Sequence, residues 1–282
     1  MAYGKRSYRK RRAPKRRVYR RRRGLGVKSV KAIVHSIVER GRETKSLQQE
    51  INHFVIYSYA TGNAGAIDTA PMFSLTPNTT PTFPQGLGAL SQGVGQGNRI
   101  GNAVDFTKGT LRMMLSCNPY DAVSNPFPQP IVCKIFVGYD KTTPHGMPDA
   151  GLPDFFQDGS SSRSPTGTLL DMFSIVNKDR YVVCYQRTVK VGYADYSGLV
   201  TTPVAPQYYQ YYNNNDFKIN PVVNIDFTKR MIHKANFDDT TNTQSGRGTY
   251  CWILTSSSTY NSTMVGAPLA ISCQINNSFK DA

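Results

Sequence analysis

Long apolar stretches are missing from this chain of 282 residues. No run of 18 apolar residues exists, so the sequence predicts no segment that inserts into a membrane. The N-terminus carries charge where a secretory signal peptide needs an apolar core, so we expect no export by that route. N-myristoylation needs glycine after the initiator methionine, and Ala2 stands there instead.

Cysteine and histidine are scarce and unclustered. The five cysteines have no CxxC pair, which argues against a disulfide framework and a zinc site and leaves buried free thiols as the expectation. The four histidines form no HExxH motif, and neither a GxSxG nor a Walker motif occurs. The glycines of residues 93–101 precede a β-like run, whereas a phosphate-binding loop joins a strand to a helix. The sequence therefore predicts no catalytic residue, no metal and no cofactor, and we do not expect an enzyme.

Acidic residues are absent before Glu39, whereas 15 of the 34 lysines and arginines lie in the first 31 positions. The other 251 residues hold 19 bases and 18 acids, so the net charge of +16 belongs to the N-terminus. Such a run repels itself and stays disordered until a polyanion neutralises it. We predict that residues 1–26 are an arginine-rich, disordered arm that binds nucleic acid. The predicted binding residues are Lys5, Arg6, Arg9, Lys10, Arg11, Arg12, Lys15, Arg16, Arg17, Arg20, Arg21, Arg22 and Arg23.

The same basic residues fit a nuclear-import signal, which is compatible with nucleic-acid binding. An anionic membrane surface is the remaining alternative partner for the arm. No lipidation signal accompanies the charges, which weakens that alternative.

Residues 27–50 are predicted to be an amphipathic helix or a linker. Val27, Val30, Val34 and Ile37 recur at helical spacing, and Gly41 marks an end. Two roles stay open for this helix: packing beneath the body, or docking on the same nucleic acid as the arm.

From residue 51 the apolar period changes to two, which is typical of β-strands. Strands of unequal spacing with long loops favour a Greek-key sandwich, so residues 51–282 are predicted to form an all-β, single eight-stranded jelly roll. The loop of residues 61–103 is long enough to be an interaction surface. The predicted strands cover residues 51–59, 104–117, 131–139, 180–191, 217–232, 250–255 and 269–275, with a helical turn at 169–173.

An aromatic loop interrupts this pattern at residues 207–217, QYYQYYNNNDF. Its tyrosines combine a large contact area with a hydroxyl that tolerates water. A subunit interface is the favoured role, with base stacking and ordinary loop packing as alternatives. The tentative interface residues are Tyr208, Tyr209, Tyr211 and Tyr212.

Several segments together resemble the single jelly-roll capsid proteins of small circular single-stranded DNA viruses, the circovirus, cyclovirus and geminivirus-like coat proteins. The arm MAYGKRSYRKRRAPKRRVYRRRR is similar in placement and composition. Lys178-Asp179-Arg180, which leads into a β-run within NKDRYVVCYQRTVKVG, is the most similar segment. GNRIGNAVDF, LRMMLSC, TYCWILTSS and PLAISCQINNSFKDA complete the resemblance.

The resemblance implies a structural capsid protein that self-assembles into a small icosahedral, T=1-like shell of about 60 copies. Its implied partners are a single-stranded DNA genome packaged by the arm, other copies of itself, host nuclear-import receptors and a cell-surface receptor that the resemblance does not identify. Its implied locations are the virion and, during infection, the host nucleus. The alternative is a cellular nucleic-acid-binding protein with a basic tail and a β-sandwich body, although no reader motif is recognisable.

Overall fold

The computed structural model describes residues 30–34, 37, 42–56, 72–77, 90–119, 130–142, 152–192, 217–238, 244–245, 247–257 and 268–281. The chain divides into two compact units, residues 1–42 and 43–282. In the first unit, residues 30–34 and 37 are helical, and they lie within the segment predicted to be an amphipathic helix or a linker. The second unit, called the body below, is all-β and built from antiparallel pairs.

The body contains thirteen described strands, one short α-helix and one 3-10 helix. The strands are β1 Thr44–Ile56, β2 Met72–Ser74, β3 Ala103–Cys117, β4 Ile131–Asp140, β5 Phe156–Asp158, β6 Ser161–Arg163, β7 Ile175–Val176, β8 Tyr181–Val191, β9 Val222–Asp226, β10 Lys234–Phe237, β11 Gln244–Ser245, β12 Tyr250–Ser257 and β13 Leu269–Asp281. The α-helix, α1, is Leu170–Phe173, and the 3-10 helix is Thr228–Arg230.

Two main sheets form the body. Sheet 1 has the order β1-β13-β3-β10-β11, and β9 also pairs with β3. Because β13 occupies one edge of β3 along its length, β9 and β10 share the other edge, β9 beside residues 110–114 and β10 beside residues 103–105. Sheet 2 has the order β2-β12-β4-β8, and a small third sheet has the order β6-β5-β7.

The main core joins the inner faces of sheets 1 and 2. It combines Leu111 and Ile271 from sheet 1 with Ile135 and Ile253 from sheet 2 in one buried cluster. A shared core between two antiparallel sheets is the β-sandwich arrangement. The all-β prediction is therefore confirmed.

A second core covers the opposite face of sheet 2. Residues 152–180, here the covering segment, place Phe155 and Phe156 against Phe136 and Trp252. The ring centroids of Phe155 and Trp252 are 5.8 Å apart in an edge-to-face arrangement. Trp252 is fully buried, and its Nε1 donates to the sulfur of Met72 at 2.8 Å. Alternate residues of β12 thus enter different cores, since neighbouring side chains of a strand point to opposite faces.

The first strand begins earlier than predicted, at Thr44 instead of residue 51, and the compact unit begins at residue 43. The first half of this strand pairs with β13 from Thr44 onward. Because its residues are mostly polar, no alternation of apolar residues marked it as a strand. The predicted alternation within the strand is also wrong. A register shift between Ile51 and Phe54 inserts an extra residue, which buries both side chains instead of placing them on opposite faces.

The strand predicted over residues 217–232 is replaced by β9 and the 3-10 helix, and the next strand, β10, begins only at Lys234, beyond the predicted range. The interruption carries the chain from one part of the β3 edge to the next. Strand β2 and the three-stranded covering sheet were not predicted, because strands of two or three residues are too short to show a period.

Candidate assembly and nucleic-acid surfaces

Both predicted binding sites lie outside the described residues. The basic residues between Lys5 and Arg23 belong to the undescribed part of the first unit, and Tyr208, Tyr209, Tyr211 and Tyr212 belong to residues 193–216. The described structure nevertheless fixes where the tyrosine loop begins and ends. Gly192 N–H donates to the Lys218 carbonyl at 2.9 Å, and Val191 forms a parallel bridge with Lys218. The two ends of the loop therefore lie side by side at the end of β8.

A buried arginine organises the glycine-rich loop before β3. Arg99 is fully buried and donates to the Leu90 carbonyl at 3.2 Å, the Gly101 carbonyl at 2.5 Å and Asn102 Oδ1 at 2.9 Å. Its guanidinium also lies 5.0 Å from the centre of the Phe237 ring. Several donors of one planar group thus satisfy loop carbonyls that burial would otherwise leave unpaired.

A second buried cation fixes the same loop to sheet 1. Lys45 Nζ donates to the Asn98 carbonyl at 2.9 Å and forms an ion pair with Asp281 Oδ2 at 2.9 Å. The other oxygen of Asp281 accepts from Ile100 N–H at 2.9 Å. The loop is therefore held by charged groups of both β1 and β13.

The anchored loop exposes apolar side chains. Val94 is 97% exposed and Ile100 is 58% exposed. The loop continues into β3, so it lacks the strand-to-helix geometry of a phosphate-binding loop. A fixed backbone with exposed apolar side chains suits a contact with another protein surface, and the interaction surface expected over residues 61–103 stays a prediction.

A buried carboxylate organises the covering segment in the same way. Asp171 is fully buried and accepts hydrogen bonds from Arg163 at 2.8 Å, from Thr166 N–H at 2.7 Å and from Gly167 N–H at 2.7 Å. Arg163 also donates to Ser174 Oγ at 2.6 Å. This network determines the path of the chain around α1.

Sheet 2 contributes a lysine to the same region. Lys134 Nζ donates to the Met172 carbonyl at 2.7 Å and contacts the Ser174 carbonyl at 3.4 Å. Burial lowers the pKa of this amine, although the negative charge of Asp171 acts in the opposite direction. The strongly exposed side chains of Leu170, Phe173 and Ile175 lie on this anchored segment.

The Lys178-Asp179-Arg180 segment ends the covering segment and leads into β8. Arg180 contacts Asp140 Oδ2 at 3.3 Å and Asp154 at 3.6 Å, and its guanidinium lies 5.4 Å from the Tyr181 ring centre. Asp140 is buried and also accepts from Thr142. Arg180 therefore joins the end of β4 to the covering segment.

Metal-ligating side chains are not clustered in the described residues. No group of three or more metal-ligating side chains lies together in the part of the chain that is described. A cleft of about 860 Å³ between β8 and residues 172–178 has neither a carboxylate nor a histidine among its described lining residues. No helix within the described ranges is both long and apolar enough to cross a membrane.

All five cysteines are free, and Cys133, Cys251 and Cys273 are buried as predicted, whereas Cys117 and Cys184 are half-buried. Burial raises the pKa of the Cys117 and Cys273 thiols to about 12, and it also raises the pKa values of the Cys133 and Cys251 thiols well above the ordinary value. Thiols with raised pKa values are weak nucleophiles at neutral pH, so these four cysteines are packing residues.

Comparison with known proteins adds no relative to this description. No protein-family model matches the chain, and no curated protein matches it.

Sequence inspection missed the buried charged residues that hold the loops. Lys45, Arg99, Lys134 and Asp171 stand in polar or mixed segments, where a charged side chain normally faces water. Asp171 gave a partial signal, because it lies in the short helical turn that was predicted at residues 169–173. The carbonyls that bind Lys45 and Lys134 come from distant parts of the chain, and most partners of Arg99 are polar groups of its own loop, so none of the three gives a recognisable sequence pattern.

Proposed function

We propose that this chain is the structural subunit of a small icosahedral virus shell, similar to the capsid proteins of small circular single-stranded DNA viruses. Its body would be a jelly roll, and its basic arm would bind the packaged single-stranded DNA. Assembly would occur in the host nucleus, which the same arm would reach through import receptors.

The observation that carries the proposal is the nested pairing of strands in the body. Counting β9 and β10 as one position on the edge of β3, the eight main strands are β1, β2, β3, β4, β8, β9/β10, β12 and β13. The first pairs with the last, the second with the seventh, the third with the sixth and the fourth with the fifth. A long antiparallel hairpin folded over on itself gives this pairing, so the pairing supports the proposed jelly roll of two Greek keys.

Jelly rolls also occur in lectins and cupins, so the pairing alone does not select a capsid. The N-terminal charge favours one. With about 60 copies in a shell of equivalent positions, 15 basic residues per copy would supply on the order of 900 positive charges to a packaged polyanion. A domain that binds a sugar or a small molecule does not need a basic arm to bind its ligand.

Deleting residues 1–26 tests the division of labour between arm and body. We expect the truncated protein to keep its β-rich circular dichroism, because residues 43–282 are a compact unit, and to lose nucleic-acid packaging. Electron microscopy of full-length protein should show uniform closed particles. Nucleic-acid binding without particles would favour the cellular binding protein, and normal packaging by the truncated protein would contradict the role of the arm.

Replacing Tyr209 and Tyr211 with alanine tests the proposed subunit contact. Losing even about 1–2 kcal/mol at each repeated contact should shift a closed shell toward free subunits. We expect an unchanged melting temperature and sedimentation as small species. Particles of normal yield and stability would assign the contact to other loops.

A further inference from the structure

A groove of about 460 Å³ opens between the edge of sheet 2 and the edge of sheet 1, where β8 and β9 lie close together. Its volume falls within the range of ligand-binding sites. The lining residues are Arg187, Thr188, Val189, Lys190, Lys218, Pro221, Val222 and Val223.

The groove concentrates positive charge in an otherwise nearly neutral body. Its described lining residues include three cations, Arg187, Lys190 and Lys218, and no acid. The sheets fix their backbone positions: Arg187 lies opposite Ile135 and Lys190 opposite Val132 on β4, and Lys218 is bound to Gly192. These three cations give the groove a locally positive potential, which attracts a polyanion because its successive charges can approach several cations at once.

Apolar and aromatic surface accompanies the cations. The Lys190 amine lies 5.5 Å from the centre of the half-exposed Phe217 ring. Ile219 and Val222 are also exposed there, at 61% and 48%. Single-stranded nucleic acid needs this combination, since cations pair with its phosphates and flat or apolar side chains cover its unpaired bases. A sulfated sugar chain has the charge but no flat aromatic face.

The groove is separate from the place where the body begins. Thr44, the first residue of β1, shares a cross-strand row with Lys280 and Asp105, whereas Val222 at the groove pairs with Met114. The nine residue-to-residue steps from Asp105 to Met114 span about 30 Å of strand. A contact at the groove is therefore distinct from contacts made at the start of β1.

We propose that this groove is a second binding site for single-stranded nucleic acid, in which Arg187, Lys190 and Lys218 contact phosphates and Phe217 stacks on a base. The proposal rests on the proposed nucleic-acid function, but it does not depend on shell formation. It adds a site on the folded body to the one predicted on the arm.

Salt dependence of binding by the full-length protein measures the phosphate contacts. The triple variant Arg187→Gln, Lys190→Gln and Lys218→Gln is compared with a control that loses the same charge elsewhere, Lys108→Gln, Lys178→Gln and Lys229→Gln. With an oligothymidylate probe, each lost contact should reduce the slope of log affinity against log salt by about 0.7, or about 2 for the groove variant. The control, whose exposed lysines lie outside the groove, should keep the parent slope.

The variant Phe217→Leu measures stacking separately from charge. It should weaken oligothymidylate binding at least about fivefold and leave binding of inorganic polyphosphate, which has no bases, unchanged. Melting temperatures of all variants check that the fold is retained.

Equal slopes for the groove variant and the parent would overturn the proposal. Equal reductions of the slope in the groove variant and in the control would also overturn it. Loss of binding to a sulfated polysaccharide with unchanged oligothymidylate binding would also overturn it, by assigning the groove to another polyanion. Absence of any oligothymidylate binding by the parent is a different result, which would contradict the proposed function itself.

Discussion

The outer faces of the two main sheets differ in how far they are buried. In sheet 2, the strands β4 and β12 are buried on both sides, by sheet 1 and by the covering segment, and are almost wholly inaccessible to water, whereas the edge strand β8 is partly exposed. Sheet 1 leaves its outer face open, with Gln48, Asn276 and Thr110 in one cross-strand row. Buried and exposed residues accordingly alternate along β9 and through most of β13, but not along β4 or β12.

The buried faces stabilise the body, whereas the exposed faces are available for contacts with other molecules. The outer face of β4 and β12 is occupied by the covering segment, so a partner can reach sheet 2 only at the covering segment itself or at the exposed residues of the edge strand β8. The polar face of sheet 1 remains available without large apolar patches, apart from the partly exposed Met114 and Val222. Substitutions on the two faces should therefore differ strongly in their effect on folding.

The largest expected difference is between Trp252→Ala and Met114→Ala. Trp252 is fully buried in the second core, so its truncation should lower the free energy of unfolding by about 3–5 kcal/mol. Met114 is 40% exposed on the open face, so its truncation should lower it by less than about 1 kcal/mol. Urea denaturation of both variants measures the difference. Similar losses would show that the open face is also packed against something.

A smaller effect is expected from Asp171→Ala, which leaves Arg163 without its buried carboxylate and removes acceptors from two backbone N–H groups. The expected loss is about 3 kcal/mol. It should be concentrated in the covering segment, with faster amide hydrogen exchange at residues 156–176 than in β13. The control Asp158→Ala removes an exposed carboxylate from the same segment and should change little. Uniformly faster exchange through both sheets would contradict a separate role for the covering segment.

The smallest expected effect is a difference in alkaline stability between the two cores. Cys273 lies between the sheets, and burial raises its pKa from 9.0 to about 12, so the native state binds more protons than the unfolded state in that window. Stability should then fall as the pH rises above 9, by up to about 1.4 kcal/mol per pH unit for each such thiol. Lys134 acts oppositely. Its lowered pKa makes the unfolded state bind more protons below 10.5, so stability gains as the pH rises toward that value.

Urea denaturation at several alkaline pH values distinguishes the two contributions. Cys273→Ala should make the fall in stability less steep than in the parent, and Lys134→Met should make it steeper. Parallel curves for all three proteins would show that neither buried group titrates differently on folding.

The difference in burial between the two outer faces also explains which strands could be predicted from the sequence. Strands β3, β4, β8 and β12 were predicted to within about two residues at each end, because apolar residues extend to their ends. The end of β13 was missed: Asn277 is polar yet fully buried, where its Nδ2 donates to the Leu75 carbonyl at 2.7 Å. Polar residues satisfied by distant carbonyls carry no apolar period, and the same reason hid the start of β1.

The candidate surfaces were less predictable than the strands. The basic arm and the tyrosine loop were identifiable from composition alone, and both remain predictions. The groove was not visible in the sequence, because Arg187 and Lys218 are separated by a loop of more than twenty residues and meet only where β8 and β9 approach. Pairing between sheet edges is a long-range property that no local pattern records.

The pairing of β1 with β13 has a consequence for the order of events during synthesis. Sheet 1 places residues 44–56 beside residues 269–281, and β13 is the only strand that joins β1 to β3 within the described sheet. During synthesis, the residues of β1 leave the ribosome before those of β13, which follow more than two hundred residues later. Strand β1 therefore cannot form this pairing until β13 has been made. Such distant pairing makes folding slow relative to local structure formation. The basic arm is thus exposed to cellular polyanions before the body that carries it can close.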